Sequence, residues 1–290
     1  MATLRDIKNR IKGVQSTQQI TKAMKMVAAA KLRRAQEAII NARPFARKIS
    51  SLLNHLITDE DVASNPFVVP REVKNIALVT VTSDRGLCGA FNTNLIKEAV
   101  RYINEDVNSA NVHVFCVGKK SLDFFSRRDY NVAGKRTGLF SALKYEDAFN
   151  LTNELIKKYL DGTFDKVVII YNEFKSIIQQ KIVVEQFLPI PITAETGKDD
   201  KAGTNFIYEP DQKHILNYLL PKHLNAQMWR ILLESNASEL GARMTAMDNA
   251  TTNAKELIRT LKLKYNRERQ ASITKEILEI VSGANALKEG

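Results

Sequence analysis

The chain has 290 residues, 44% of them hydrophobic, which is ample for a core and allows one to three domains. Its net charge of +11 points to an acidic partner: nucleic acid, an anionic membrane surface or an acidic protein surface. No apolar run approaches the ~18 residues of a membrane-spanning helix, and the N-terminus lacks an apolar signal-peptide core.

The first predicted element is one very long helix. Thr3 with Asp6 reads as a capping box, so the helix starts almost at once. Stepping alternately by three and four residues from Leu4 to Leu56 meets sixteen positions, thirteen of them apolar. That 3.5-residue period predicts a left-handed coiled coil. Its polar interruptions are Gln18, Thr21 and Lys25, which either set the register or mark a stretch where the outward face matters. Pro44 is expected to kink the helix or to be absorbed at a local bend. Residues 1–57 hold twelve basic residues against two acidic ones, nearly the whole excess charge. Such an amphipathic, Arg/Lys-rich start looks like a mitochondrial transit peptide. The pattern continues unbroken for some fifty residues, however, so it is read as mature structure.

Residues 58–72, with two prolines and the acidic run Asp59-Glu60-Asp61, read as a solvated linker. Strands are predicted at residues 75–82, 112–117, 167–171 and 182–188, from β-branched apolar runs. Helices are predicted at 90–105, 119–127 and 145–160. This alternation suggests an open, mostly parallel sheet. Residues 195–205 form a polar, glycine-containing loop that reads as mobile. Pro210 and Pro221 bracket a short helix leading into a second very long one, residues 222–282, which has no proline and one glycine, Gly241.

The α/β segment is thus inserted between two long helices, which must pack antiparallel if they meet. The C-terminal helix is roughly ten residues longer. Its last stretch should project alone, yet Ile273, Ile277 and Ile280 give it an apolar face. A lone helix of this kind has to bury that face against another protein.

Motifs for chemistry are weak. Ser83–Gly89 (SDRGLCG) follows a strand and precedes a helix, where phosphate-binding loops occur. It lacks both glycine-rich phosphate-loop patterns, so a tight strand-to-helix turn is the preferred reading. Cys88 has no motif histidine near it for nucleophilic catalysis. With only Cys116 besides, reduced thiols are expected. No group of His, Cys, Asp or Glu has metal-ligand spacing. Phe45 is the only aromatic in residues 1–57, which argues against stacking on single-stranded nucleic acid. No catalytic residue, metal or cofactor is expected.

Three stretches, however, carry a resemblance. Ile20–Ala28 (ITKAMKMVA), Ser83–Gly89 and Arg269–Ala284 (RQASITKEILEIVSGA) strongly resemble the gamma subunit of F-type ATP synthases, in order, from residue 20 to 284. The resemblance implies an α/β fold: a long antiparallel coiled coil of the N- and C-terminal helices with an inserted Rossmann-like domain. The implied division is 1–57 coiled-coil helix, 58–209 α/β domain and 210–290 coiled-coil helix. It implies a central-stalk rotor that is itself not catalytic. Such a rotor passes torque between a proton-driven c ring and a ring of three alpha and three beta subunits, where nucleotide chemistry occurs. The implied partners are those alpha and beta subunits, the epsilon subunit and the c ring, with membrane association only through the complex. Arg269, Gln270, Met24, Lys25 and Arg243 match beta-subunit contacts. Ile273, Ile277 and Ile280 would lie in the apolar sleeve of the ring, and Tyr208 and Glu209 match the foot that meets the c ring. The cysteine-pair insertion of chloroplast-type gamma subunits is missing, so thiol regulation is not expected. The start at Met1-Ala2 suggests a bacterial protein on the cytoplasmic face of the plasma membrane. The alternative is a processed mitochondrial form on the matrix side. Two other readings compete: a basic coiled coil binding nucleic acid, which predicts steeply salt-dependent DNA binding, and a nucleotide-binding α/β enzyme, which predicts saturable nucleotide binding by the isolated chain.

Overall fold

The computed structural model describes residues 3–57, 65–107, 110–177, 179–191, 209 and 211–286. The 195–205 loop, much of the 58–72 linker, Tyr208 and Pro210 lie outside the described residues. In order, the elements are α1 (Leu4–Leu56), β1 (Asn75–Val81), α2 (Phe91–Arg101, running on into a π turn), β2 (Asn111–Val117), α3 (Lys119–Phe125), β3 (Asn131–Arg136), α4 (Tyr145–Leu160), β4 (Lys166–Phe174), β5 (Gln180–Leu188) and α5 (Gln212–Ala286).

The chain forms two compact units: Met1–Val27 with Met244–Gly290, and Ala28–Arg243. The first consists of the start of α1 and the end of α5. The Asp6 amide donates to Thr3 Oγ1 at 3.2 Å and the Thr3 amide to Asp6 Oδ2 at 3.0 Å, which is the capping box expected from the sequence. The two helices run antiparallel. Leu4 shares a hollow with Glu268, Ala271, Ser272 and Lys275, Thr21 meets Thr251, and Lys25 meets Asp248. Ile7 and Thr21 are buried on one side, and Met247, Ala254, Ile258 and Leu261 on the other. These residues lie on the 3–4 spacings of the two helices, so the seam follows the sequence rhythm.

The second unit is built on a five-stranded sheet of order β3-β2-β1-β4-β5. β1 to β4 are parallel and β5 returns antiparallel to β4. Alternate residues face opposite sides. Ala77, Val79 and Val81 of β1 join Phe115, Val117, Val167 and Ile169 in a core completed by α4, the end of α1 and the start of α5. Ile76 and Leu78 join Val114, Cys116, Val168 and Ile170 under α2 and α3. A third cluster pairs Leu32, Ala35 and Ile39 of α1 with Leu233, Ala237 and Leu240 of α5, antiparallel again.

Two expectations need correcting. β3 carries no strand signal in the sequence: its run NVAGKR is polar and glycine-bearing, as suits an edge strand. Pro221 does not end a short helix but lies inside α5, just as Pro44 lies inside α1. Each proline deprives the carbonyl four residues earlier of its helical donor. Around Pro221, though, Leu216, Leu220 and Leu224 are fully buried in one row at helical spacing, and this packing carries the helix through.

Candidate functional site

Three features bear on function, each within a single unit. The first is the Ser83–Gly89 turn after β1. Its backbone turns sharply at Leu87, with φ 65°, and at Gly89, with φ 59°. The Ser83 amide donates to Asn92 Oδ1 at 2.9 Å and the Ser83 hydroxyl to the Arg85 carbonyl at 2.7 Å. Asn92 Nδ2 lies 3.1 Å from the Cys88 sulfur. Asp84 Oδ1 accepts the amides of Lys119 and Gly138 at 3.0 and 2.8 Å, drawing three loops together. Burial pushes the Cys88 thiol up, away from a reactive thiolate, and pushes Cys116 up to about 11. Cys88 is therefore a packed thiol.

In a doubly wound sheet the ligand crevice lies where the strand order reverses, here at the C-terminal ends of β1 and β4. α5 itself crosses this place. Ser235 Oγ approaches the Val81 carbonyl at 3.5 Å, and a Cβ on Gly241 would stand 3.3 Å from the Ile177 carbonyl. Arg243 donates to the carbonyls of Gly86 at 2.6 Å and Arg85 at 3.3 Å, and pairs with Glu239 at 2.6 Å. Its side chain is only 12% exposed. The turn that resembles a phosphate loop in position is therefore a socket for a helix. Burial raises the Glu239 carboxyl, against the pull of Arg243.

The second feature is the outer surface of the α1–α5 pair. Met24 and Lys25 are half-buried on α1, and the ammonium of Lys25 is 2.6 Å from Asp248. Thr21 and Thr251 join hydroxyls across the seam at 2.8 Å. Two of the polar interruptions in α1 are thus answered by polar groups on α5, the arrangement expected of register-setting residues. Arg269 and Gln270 are exposed, as is Glu209. Beyond them the apolar face of α5 lies open: Ile273, Ile277 and Ile280 are 48%, 55% and 71% exposed, and Leu278 and Val281 widen it. A run of five large apolar side chains open to water on one helix end is a surface made to be covered.

The third feature escaped sequence reading. Arg230 of α5 grips Glu185 of β5 with one nitrogen 2.8 and 3.1 Å from the two carboxylate oxygens. Tyr171 of β4 donates its hydroxyl to Glu185 at 2.7 Å, and Gln227 of α5 donates to it at 2.6 Å. Arg230 reaches toward Glu234 at 3.7 Å, which Arg43 of α1 approaches at 4.0 Å. Burial alone would raise the Glu185 carboxyl. The Arg230 cation and the hydrogen bonds from Tyr171, Gln227 and Arg230 outweigh it and hold the group below its usual value. The available signal is a charged pair, Arg230 and Glu234, four residues apart in the otherwise apolar stretch 228–234.

Comparison with known proteins gives these features a context. Residues 3–287 match a family model described as ATP synthase. A curated relative from Chloroherpeton thalassium, an ATP synthase gamma chain, is 52% identical over 302 residues, covering 100% of this chain and 99% of that one. The gamma chain of Chlorobaculum tepidum is 52% identical over 294 residues, covering both chains fully. Among solved structures, a chain of the Tetrahymena thermophila mitochondrial ATP synthase central stalk and c ring aligns with TM-score 0.62. It is 28% identical and covers 80% of this chain and 99% of its own. A chain from the Euglena gracilis mitochondrial ATP synthase in its third rotational state aligns with TM-score 0.68 over 98% of this chain and 94% of its own. At 22% identity this last likeness bears on the fold alone. Matched from end to end, with the two long helices and the inserted five-stranded sheet in place, the chain belongs to the ATP synthase gamma chain family.

Proposed function

We propose that this chain is the central-stalk rotor subunit of an F-type ATP synthase. In that role it passes torque between a proton-driven c ring and a ring of alpha and beta subunits. The observation that carries the reading is the uncovered apolar end of α5, in a chain 52% identical over its whole length to gamma chains. A helix with Ile273, Ile277, Leu278, Ile280 and Val281 in water is stable in a cell only inside a sleeve, and the alpha–beta ring supplies one. The basic face of α1 suits acidic segments of the beta subunits. The nucleic-acid alternative finds no support among the relatives.

The chain acts mechanically and is not itself catalytic. The turn after β1 is filled by Arg243, and the chemistry belongs to the complex. Arg269 and Gln270, exposed near the apolar end, are assigned to beta-subunit contact, with Met24 and Lys25 on the opposing helix. Arg243 acts from within by shaping the turn that carries Arg85 and Leu87. Glu209, with Tyr208, is assigned to the foot on the c ring, and the epsilon subunit is a further partner. Among the described residues no helix is long and apolar enough to cross a membrane. Membrane association is assigned to the complex, peripherally, on the cytoplasmic face of a bacterial plasma membrane, as the bacterial gamma-chain relatives suggest. The domain limits proposed are 1–57, 58–209 and 210–290.

The test is the mass and stoichiometry of the complex that co-purifies with the chain under native conditions. One copy per six larger, ATP-hydrolysing subunits is expected. A free monomer or homodimer overturns the reading.

A further inference from the structure

Apolar packing is non-directional: a helix lying on a sheet through leucines alone resists removal but resists rotation and sliding weakly. The start of α5 meets the sheet largely in this way, through Leu224, Met228, Ile231 and Leu232. A torque passed between sheet and helix needs off-axis contacts with fixed direction, at separated points along the helix. Among the described residues of Ala28–Arg243, two charged points of this kind stand out. One is Arg243 on the backbone carbonyls of the turn after β1. The other is Arg230 on Glu185, fixed by Tyr171 and Gln227. Thirteen residues of helix separate them, about 20 Å along the axis.

The Arg230 site is the better built. Its carboxylate receives hydrogen bonds from β4 and from two α5 side chains, and arginine–carboxylate pairs are directional where a lysine is a point charge. The site is also partly shielded from water: Tyr171 is 2% exposed, and the Arg230 and Glu185 side chains are 25% and 23% exposed. Turning α5 about its axis would strand Glu185 in a largely buried place without its cation. Through Glu234 and Arg43 the same network extends to α1, so both long helices are tied to the strand pair β4–β5.

We infer that Arg230 and Glu185, with Tyr171 and Gln227, form a torque lock: positioning residues that keep the sheet and the long helices turning together. This rests on the rotor reading above. Its distinctive consequence is a split between hydrolysis and transport. Hydrolysis in the alpha–beta ring needs the helices, whereas proton pumping needs torque delivered through the sheet.

The experiment uses the whole complex reconstituted in vesicles, with ATP hydrolysis and ATP-driven proton uptake measured side by side for Arg230→Met, Glu185→Gln, Arg230→Lys and the exchanged pair Arg230→Glu with Glu185→Arg. For Arg230→Met and Glu185→Gln, hydrolysis within about twofold of the parent and a loss of five-fold or more in protons moved per ATP are expected. Arg230→Lys should recover part of the ratio. An unchanged ratio in Arg230→Met and Glu185→Gln overturns the lock. A parallel fall of hydrolysis and pumping in every variant, or failure of every variant including Arg230→Lys to assemble, assigns the network to stability alone and also overturns it. If the unaltered chain itself supports no ATP-driven pumping, the rotor reading fails, and the lock with it.

Discussion

At the scale of single residues, two close approaches decide what can change. Gly134 lies on β3 over Phe115 of β2, and a Cβ there would stand 2.1 Å from the phenyl ring. Phe115 is fully buried and cannot yield. Gly134→Ala is therefore expected to destabilise the chain by roughly 1–3 kcal/mol, as overpacking does, measured by urea unfolding. Arg243 presents the opposite case, a group whose loss leaves others unsatisfied. Arg243→Ala strips the Glu239 carboxylate and two carbonyls of their donor, with an expected cost of about 3–5 kcal/mol. In a Glu239→Gln background the same substitution should cost clearly less, because no buried charge is left behind. Equal costs in both backgrounds would mean that the ion pair contributes nothing. Arg243 is easily read from sequence as an exposed basic residue offered to a partner, since nothing local shows that the 83–89 turn will fold back onto it.

At the scale of elements, α5 carries groups whose titration reports on its docking. His223 is held down to about 4, first by burial and then by the nearby Arg230 cation. The sign follows from proton counting. Between the ordinary histidine value of 6.5 and about 4, the unfolded chain takes up a proton that the folded chain refuses, so acidification through this window destabilises. Glu185, held below its ordinary value of 4.5, adds to the loss at still lower pH. Glu234 and Glu239, raised by burial, act in the opposite direction and gain as pH falls toward 4.5. His223→Gln should flatten the decline in unfolding free energy between pH 6.5 and pH 5. An identical slope in parent and variant would remove the imidazole from the account.

At the scale of the whole molecule, the exposed end of α5 separates stability from function. Arg269 and Gln270 are exposed, so Arg269→Ala and Gln270→Ala should shift the chain's own stability by less than about 0.5 kcal/mol. Both are expected to lower ATPase turnover of the assembled complex more than its assembly, read from kcat and from recovery of the complex on native gels. Normal turnover in both variants would remove the beta-subunit contact from these positions. A chain that stabilises itself through the sheet unit can leave Ile273–Val281 bare, and on the proposed rotor reading other subunits complete that helix end.

The sequence by itself determined the long helices, the capping of the first, the seam of α1 and four of the five strands. Each is written in local periodicity and β-branched runs, which survive any context. It also carried the family, through three long stretches in order, and the apolar face at Ile273, Ile277 and Ile280. Only the tertiary structure decided the rest. β3 forms because an edge place beside β2 exists for it, and Pro221 stays in a helix because buried leucines on either side hold it there. Arg243 turns inward because α5 crosses the end of β1, and Arg230 finds Glu185 45 residues away in sequence. Pairings of this kind depend on which elements meet, and meeting is fixed by the packing of the whole unit rather than by any stretch of residues.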